Sequence, residues 1–274
     1  MQWQGLLNNL GIWQGSFTEL SPQGSQLQDT PSEVTLSLSA DEKTVDFVLK
    51  RFPIAADPQE MTLQFHYPGP GAKVPFFEDG CFSQGSLQWS AWGQFGSEFA
   101  LIEGDRRLRL VQLFRQGTDL TSLTLIREHR AGSSAQASPP LTVGDLFGTW
   151  VGEATTLYPD GRMASPTQTH LQVQQAGDRL SQTLQFGAQT LHSSARIEGS
   201  STLHFDEGTQ PMQLLCLPGG ASSLCPVQIQ PRTPFIVEAG WLVEPTYRKR
   251  LLRSYCDRGE WVSITLVTER KIEG

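Results

Sequence analysis

Charge is scarce in this sequence, and positive charge is the scarcer kind. Charged residues make up 18 % of the chain, and 21 basic against 28 acidic residues leave a formal net charge of −7. About 25 % charged residues is typical of globular chains, and disordered chains combine high net charge with low hydrophobicity. No basic run exceeds three residues. These absences argue for a folded chain and against a nucleic-acid partner, because the electrostatic footprint of nucleic-acid binding is missing.

Long apolar runs and metal-ligand spacings are absent as well. No stretch approaches the roughly 18 apolar residues of a membrane helix, and the opening MQWQGLLNNLG lacks the basic and apolar regions of a secretory leader. We therefore expect no membrane span and a cytoplasmic location, in which free thiols are favoured over disulfides. The histidines show no ligand spacing, so no metal site is expected. The cysteines, which match no zinc pattern, are Cys81, Cys216, Cys225 and Cys256.

Two segments of the chain match at a constant offset. Residues 10–24, LGIWQGSFTELSPQG, correspond to residues 147–161, FGTWVGEATTLYPDG, and from Gly11 onward the offset is 137 positions (148 minus 11). Gly11 matches Gly148, and Trp13 matches Trp150. Strand propensity alone does not require glycine and tryptophan at fixed places, so the match predicts an internal repeat.

A second match lies near the end of each half and completes the repeat. Residues 107–130 align without gaps on residues 248–271 at an offset of 141 (248 minus 107). Between the halves, AGSSAQASPP is small, polar and proline-containing, as an extended linker is. We predict a first domain over residues 1–130, a linker over 131–140 and a second domain over 141–274. The identical charged pairs are Arg107 with Arg248, Arg109 with Arg250, and Glu128 with Glu269.

Apolar and polar residues alternate through most of both halves, as in residues 34–38 and 171–173. Glycine, proline, aspartate and asparagine turns separate such runs at about 8 to 12 residues. This period predicts an all-β fold with two antiparallel up-and-down β-barrels, each of about eight to ten strands, because closure removes exposed strand edges. A short apolar helix opens each half, before Gly11 and after a candidate N-cap at Thr142, and would plug one end of its barrel.

A short helix that runs into Gly-x-Trp on the first strand, with a closing strand that bears arginine, resembles the lipocalin and calycin superfamily. In that superfamily the tryptophan closes the barrel base and an arginine of the last strand packs across its indole, a favourable cation–π contact. The resemblance implies a barrel-closing role for Gly11, Trp13, Gly148 and Trp150, with Arg127 or Arg130 as the cation in the first half and Arg270 in the second.

The arrangement of the whole chain is similar to an uncharacterised lipocalin-like family of cyanobacteria and chloroplasts, which implies no activity. A sharper local resemblance covers residues 238–250, EAGWLVEPTYRKR, and residues 263–270. This segment is similar to the S-type phycobiliprotein lyases, lipocalin-fold proteins that hold a linear tetrapyrrole and deliver it to a cysteine of an apo-phycobiliprotein. The resemblance implies a ligand site in the second barrel, made of Glu238, Trp241, Arg248, Arg250 and Glu269.

A linear tetrapyrrole is planar and apolar and carries two propionates, so its pocket needs aromatic walls and guanidinium groups. Residues 248 and 250 share one face of a strand. That face either points into the barrel or forms an exterior ladder that pairs with Glu238, Glu244 or Glu269. In the first half the counterpart of Trp241 falls near Ala100, and no counterpart of Glu238 is found, so the second half is the better candidate.

Three functions are compatible with these patterns. Our leading hypothesis is a carrier or chaperone that binds a hydrophobic or amphiphilic, pigment-sized ligand, a tetrapyrrole or carotenoid-like molecule, in a barrel pocket. The second is a bilin-lyase-like enzyme, for which a phycobiliprotein or another photosynthetic assembly partner is expected. The third is a structural or assembly protein whose barrels are filled with side chains. A cavity well below about 300 Å³ in both barrels would favour the third.

Overall fold

The structure is a computed structural model that describes residues 2–71, 73–115 and 117–272, most of which lie in β-strands. The all-β prediction is confirmed. Helix α1 (Gln2–Leu7) and helix α2 (Val143–Leu146) each come shortly before the first strand of their half. Thr142 is the N-cap of α2, where the Asp145 carboxylate accepts its backbone N–H at 2.8 Å and its hydroxyl at 2.7 Å. No helix within the described residues is long and apolar enough to cross a bilayer.

The first half forms one curled sheet of eight strands. They are β1 (Gly11–Leu20), β2 (Gln26–Leu38), β3 (Thr44–Arg51), β4 (Gln59–His66), β5 (Phe82–Gly85), β6 (Phe95–Glu103), β7 (Arg106–Phe114) and β8 (Ser122–Arg130). Their order in the sheet is β4-β3-β2-β1-β8-β7-β6-β5, so β4 and β5 are its two ends. The first half is therefore a half-barrel, more open than the closed barrel that the sequence predicts.

The second half forms a closed barrel of ten strands. They are β9 (Gly148–Leu157), β10 (Thr167–Ala176), β11 (Arg179–Phe186), β12 (Gln189–Glu198), β13 (Thr202–Phe205), β14 (Met212–Cys216), β15 (Ala221–Pro226), β16 (Phe235–Glu244), β17 (Tyr247–Tyr255) and β18 (Trp261–Ile272). The barrel closes because β9 pairs antiparallel with both β10 and β18.

The extra strands β13 and β14 lie between β12 and β15, in the connection 199–220. The corresponding connection of the first half, between β4 and β5, covers residues 67–81. Its described residues are irregular apart from a single bridge between Phe76 and Phe82. The sequence YPGPG at 67–71 explains this, because proline removes a ladder donor and glycine weakens a strand. The described residues of the range 67–81 supply no strand pair, and the first sheet stays open.

The chain divides into two compact units that interrupt the order of the sequence. The first unit is Met1–Gly85, Ser97–Gln112 and Ser122–Ala137, and the second is Ser86–Gly96, Leu113–Thr121 and Ser138–Gly274. Aromatic packing explains why two early segments belong to the second unit. The ring of Phe95 contacts those of Phe114, Phe235 and Tyr255 at centroid distances of 5.5, 5.6 and 5.1 Å. The domain limits at 130 and 141 stay a prediction from the repeat.

Each unit has a core in which the short helix packs against the inner face of the strands. In the first unit Leu6 of α1 shares a buried cluster with Trp13 and Val34. In the second unit Leu146 of α2 shares one with Trp150. The alternation of the strands supplies these inward-facing residues, and burial of their apolar area is the main favourable contribution to folding.

Candidate functional site

One tryptophan in each unit is fully buried beside the helix. Trp13 and Trp150 are both 0 % exposed. The indole N–H of Trp13 donates to the carbonyl of Asn9 at 2.9 Å, and that of Trp150 donates to the carbonyl of Leu146 at 3.0 Å. These bonds satisfy a carbonyl at the end of each short helix and fix how the helix meets the sheet.

The glycine that precedes each tryptophan makes room for a cation. Gly11 and Gly148 have φ angles of +117° and +120°, which favour glycine strongly over other residues. A Cβ added to Gly11 would lie 2.7 Å from the guanidinium of Arg130, and one added to Gly148 would lie 3.4 Å from the side chain of Lys271. Each glycine therefore allows a long basic side chain to pass over the end of the helix.

Those basic side chains lie over the indoles. Arg130 is 4.4 Å from the centroid of Trp13 and also donates to the carbonyls of Leu10 and Asn8. In the second unit Lys271 is 4.8 Å from the centroid of Trp150, and it donates to the carbonyl of Asp145 at 2.9 Å. A cation at this position makes a cation–π contact with the indole and also donates hydrogen bonds to carbonyls at the end of the helix.

Two of the arginines assigned to the barrel ends lie elsewhere. Arg270 is 4.4 Å from the ring of Tyr247, so the expectation that it packs across Trp150 is corrected in favour of Lys271. Neighbouring residues of a strand point to opposite faces, and Lys271 is the position that aligns with Arg130 at offset 141. Of the two candidates in the first half, Arg130 contacts the indole, whereas Arg127 donates to the hydroxyl of Thr18 at 3.0 Å.

The first unit holds a buried cluster of four charged side chains, the first cluster: Arg107, Arg109, Glu98 and Glu128. Arg107 Nε donates to Glu128 Oε2 at 2.7 Å, and Arg109 donates to both oxygens of Glu128 at 3.1 Å. Arg109 Nη1 also donates to Glu98 Oε1 at 2.8 Å. The guanidinium of Arg107 lies 4.4 Å from the centroid of Trp13, so the cluster rests on the buried indole.

The second unit repeats this arrangement as the second cluster: Arg248, Arg250, Glu238 and Glu269. Arg248 donates to Glu269 Oε2 through Nε at 2.9 Å and Nη2 at 2.7 Å, and Arg250 donates to both oxygens of Glu269 at 3.2 and 2.9 Å. Arg250 Nη1 donates to Glu238 Oε2 at 3.2 Å, and Arg248 lies 4.3 Å from the centroid of Trp150. The guanidiniums point inward, so they are not an exterior ladder.

Each cluster is balanced in formal charge, with two arginines and two glutamates. Burial alone would raise the pKa of Glu128 and Glu269, but the adjacent guanidiniums outweigh burial and hold both values at about 2. Burial raises the pKa of Glu238, because Arg250 and Arg248 offset only part of the loss of water. The central carboxylates are therefore firmly ionised, and Glu238 protonates more readily than either of them.

The sequence comparison missed Glu98, the counterpart of Glu238 in the first unit. Arg109 and Arg250 are 141 positions apart, whereas Glu98 and Glu238 are 140 apart (238 minus 98), so an ungapped alignment does not bring them together. Strand β16 contains a register shift between Leu242 and Glu244, which is a β-bulge with one extra residue. The bulge accounts for the changed offset, and an acid in this place is therefore common to both units.

Trp241 does not join the second cluster. Glu238 and Trp241 are three positions apart on a regular part of β16, so their side chains point to opposite faces of the sheet. Glu238 lines the interior, and Leu242 belongs to the core cluster around Trp150. The predicted site is therefore corrected: four of its five residues meet inside the barrel, and buried Trp241 lies on the other face.

One cavity borders each cluster, and a third adjoins the cavity of the second cluster. A cavity of about 680 Å³ occupies one end of the closed barrel, and a smaller one of about 70 Å³ beneath it is lined by Glu238, Arg248 and Arg250. The two share Gln182, Phe205 and Leu224 in their walls, so they adjoin. In the first unit a cavity of about 260 Å³ includes Glu98, Arg107 and Arg109 in its lining. The second cluster thus forms the narrow floor beneath a wide mouth.

Two of the buried cysteines, Cys216 and Cys225, are poor nucleophiles. None of the four is in a disulfide; Cys81, Cys216 and Cys225 are buried and Cys256 is half-buried. Burial raises the pKa of Cys216 and of Cys225 to about 12. Since the thiolate is the reactive form, the two thiols around the loop 217–224 are inert at neutral pH.

The fold and the clusters define an all-β protein of two barrel-like units, each with a charge-balanced cluster on a buried tryptophan. The family model for the N-terminal domain of DUF3598, a domain of unknown function, matches residues 1–133. The model for the C-terminal domain of "Biogenesis factor required for ATP synthase 1" matches residues 137–272. A crystal structure of a DUF3598 protein of unknown function from Nostoc punctiforme PCC 73102 is 42 % identical over 99 % of both chains, with a TM-score of 0.92. The chain belongs to the DUF3598 family.

A more distant similarity involves one half of the chain. The S-type phycobiliprotein lyase CPES from Guillardia theta is 12 % identical over 48 % of this chain and 90 % of its own, with a TM-score of 0.37. A similarity at this level carries no argument about fold or activity. Among curated proteins, none matches the chain.

Proposed function

We propose that the protein is a carrier for a flat, hydrophobic, pigment-sized ligand that binds in the mouth of the second barrel. The observation that carries this proposal is the cavity of about 680 Å³ at one end of the closed barrel. Ligand pockets in proteins measure about 300 to 1,000 Å³ and are mostly apolar with a few polar groups. The volume argues against a barrel filled with side chains.

The walls of this cavity suit a conjugated ring system. Phe205, Met212 and Leu224 are apolar lining residues. Phe235 and Tyr255 border the cavity, but by the period of the strands their rings lie on the face opposite to Glu238 and Arg250, where they stack on each other at a centroid distance of 4.8 Å with an interplanar angle of 6°. The hydroxyl of Tyr255 donates to the carbonyl of Ser86 at 2.9 Å, which holds its ring in place. The apolar side chains of the lining offer a hydrophobic surface to the ligand.

The charged residues at the floor of the cavity determine which polar groups of a ligand can bind there. The guanidinium of Arg250 already donates to Glu269 and Glu238, so a ligand carboxylate would have to displace an existing partner. Glu238 offers a carboxyl group beside the space at the floor, where it can accept a ligand N–H. We therefore assign Glu238 to recognition of a ring nitrogen and Arg248, Arg250 and Glu269 to holding it in position, and we expect the propionates of a bilin to remain at the mouth.

Titration of the purified chain with biliverdin, chlorophyllide and a carotenoid tests the carrier function. Tryptophan quenching and induced circular dichroism report binding in a chiral pocket. We expect a dissociation constant below about 100 µM for at least one pigment, since weaker binding leaves less than roughly 5.5 kcal/mol for so large a cavity. Absence of binding for all three contradicts the proposal.

A pair of variants locates the site. Met212→Arg places a charge in the wall of the mouth cavity, whereas Met61→Arg does the same in the first unit and is the matched control. We expect the pigment to bind at least about tenfold more weakly to Met212→Arg, because a buried unpaired charge is costly, and to bind the control unchanged. Equal affinity in the two variants would place the pigment elsewhere.

A second candidate function is assembly of an ATP synthase. The observation that favours it is the match of residues 137–272 to the C-terminal domain of a biogenesis factor for that enzyme. Co-migration of the purified chain with soluble ATP synthase subunits in size-exclusion chromatography would support this candidate, and separate migration at micromolar concentration would oppose it. Lyase activity, a phycobiliprotein partner and a cytoplasmic location stay predictions from the sequence.

A further inference from the structure

The first unit contains a cavity that the proposed pigment site does not use. It measures about 260 Å³ and lies against the inner face of the half-barrel. We propose that this cavity is a separate binding site for a single linear hydrocarbon chain, such as the chain of a fatty alcohol or fatty acid, which enters with its apolar end first.

The walls are apolar and aromatic. Phe47 and Phe65 meet edge to face at 6.3 Å, and Phe76 and Phe82 pack at 4.8 Å. Leucine, valine, isoleucine and methionine side chains supply most of the remaining lining. Removal of a hydrocarbon chain from water into such walls is favourable in proportion to the apolar area that is buried, so the chain can bind without specific polar contacts.

The floor disfavours a charged head group. Arg109 donates to Glu98 and to both oxygens of Glu128, and Arg107 donates to Glu128 and, at 3.2 Å, to Asn9 Oδ1. A carboxylate brought to this floor would add an uncompensated negative charge to a balanced, buried group. The polar end of the ligand therefore stays at the opening, and only the hydrocarbon reaches the cluster.

The opening lies along β4, at one end of the sheet. Met61 and Leu63 line the cavity, yet they are 44 % and 46 % exposed, so water reaches the lining between them. In the second unit β12 pairs with β13 near its end, through Ile197 and Leu203. In the described residues of the first unit no strand follows β4 in the sheet. A chain can therefore slide in from the side of the half-barrel.

The size of the cavity separates its ligand from the pigment. At about 260 Å³ it lies just below the usual range of about 300 to 1,000 Å³ for small-molecule pockets, and it has less than half the volume of the mouth cavity. A slim chain fits such a space, whereas a tetrapyrrole or carotenoid does not. The two sites are thus expected to bind their ligands independently.

Calorimetric titration of the whole chain with decanol and with decanoic acid tests this proposal. Met61→Arg blocks the opening, and Leu191→Arg is the matched control. The two positions correspond in register, because Met61 pairs with Leu49 on β3 and Leu191 pairs with Leu184 on β11, and both are about half exposed. Leu191 lines none of the three cavities. Leu63→Trp, which fills the opening without adding charge, provides a second blocking variant.

We expect both ligands to bind the wild type with affinities within about threefold of each other, because the head group stays in water. Both blocking variants should lose at least about tenfold in affinity, and Leu191→Arg should lose nothing. Four results would overturn the proposal: no binding of either ligand, undiminished binding to Met61→Arg and Leu63→Trp, equal loss in Leu191→Arg, or more than tenfold preference for decanoic acid. Titration of the same variants with pigment reports the second barrel separately, so the two proposals fail independently.

Discussion

The two units share their charged clusters and differ in their cavities. In both clusters a central glutamate receives the two arginines through the same kinds of bonds, and an outer glutamate binds the second arginine. The cavity of the first unit, an open half-barrel, has a volume of about 260 Å³, whereas the mouth cavity of the second unit, a closed barrel, has a volume of about 680 Å³. A feature that persists while its surroundings change serves the common fold, and under the proposed carrier function the cavity is the part that determines which ligand binds.

The clusters are well suited to a structural role. The first cluster connects strands β6, β7 and β8 to the indole of Trp13, and the second connects strands β16, β17 and β18 to the indole of Trp150. Through its indole, each cluster is also connected to the short helix of its unit. Buried ion pairs add little net stability over an apolar core, but loss of one partner is costly because the remaining charges are stranded. They therefore fix the geometry of the floor, above which the walls can change.

The largest expected effect comes from the central glutamates. Glu128→Gln and Glu269→Gln each remove the carboxylate that two buried arginines share, and each should cost about 3 to 5 kcal/mol of unfolding free energy. Urea unfolding followed by circular dichroism measures both. The comparison predicts similar losses in the two units. A cost below about 1 kcal/mol in one unit would show that its cluster is hydrated and not structural.

Acidification should then distinguish the central glutamates from Glu238. Glu128 and Glu269 have a folded pKa of about 2, below the ordinary value of 4.5, so both contribute stability above pH 4.5 that is lost as the pH falls toward 2. The contribution of Glu238 to stability changes with pH in the opposite direction. Its pKa is raised in the folded protein, so its protonation stabilises the second unit as the pH falls toward 4.5.

The urea midpoint as a function of pH measures these contributions. The wild type should gain stability on mild acidification and lose it below about pH 4.5, whereas Glu238→Gln should lack the gain and keep the loss. If Glu238→Gln follows the wild-type curve at every pH, the gain on mild acidification does not come from Glu238.

A smaller effect is expected at the buried indoles. Trp13→Phe and Trp150→Phe each remove the N–H that donates to the helix and part of the surface beneath a guanidinium. Each substitution should cost about 1 to 3 kcal/mol, from a lost buried hydrogen bond and a small cavity. Thermal or urea unfolding gives the number. Losses that differ by more than about 2 kcal/mol would show that the two helix ends are not equivalent.

The sequence predicted the fold class because its determinants are local. Alternating residues build the strands, and the fixed Gly-x-Trp marks where a helix meets the first of them. It also predicted that Glu238, Arg248, Arg250 and Glu269 belong together, and they meet inside the barrel. The closure of each sheet was not predictable in this way, since it depends on whether the connection after the fourth strand can add a strand pair.

The misplaced residues have a common cause, which is a displacement of one or a few positions along a strand. The sequence favours Arg270 by its chemistry, although Lys271 occupies the face that meets Trp150. The family resemblance places Trp241 with Glu238, although an odd spacing puts the two side chains on opposite faces. Glu98 was missed because a bulge shifts the alignment by one residue. The period of a strand is two, so a slip of one residue reverses the face of a side chain.

The smallest effect concerns the cations that lie over the buried indoles, which are Arg130 in the first unit and Lys271 in the second. Arg130 donates to two carbonyls at the end of α1, at Leu10 and Asn8, whereas Lys271 donates to the carbonyl of Asp145 in α2. Arg130→Lys should therefore cost about 0.5 to 1.5 kcal/mol, the net value of one hydrogen bond, while the cation–π contact persists. Lys271→Arg should be within about 0.5 kcal/mol of neutral, since Arg can keep both contacts there.

Urea unfolding of both single variants and of the double variant measures this difference. The contacts lie in separate units, so the effects should add to within about 0.5 kcal/mol. Equal losses from the two substitutions would mean that each site is fitted to its own cation. A loss confined to Arg130→Lys would mean that the number of helix carbonyls within reach sets the cost, because the indole presents the same face to either cation.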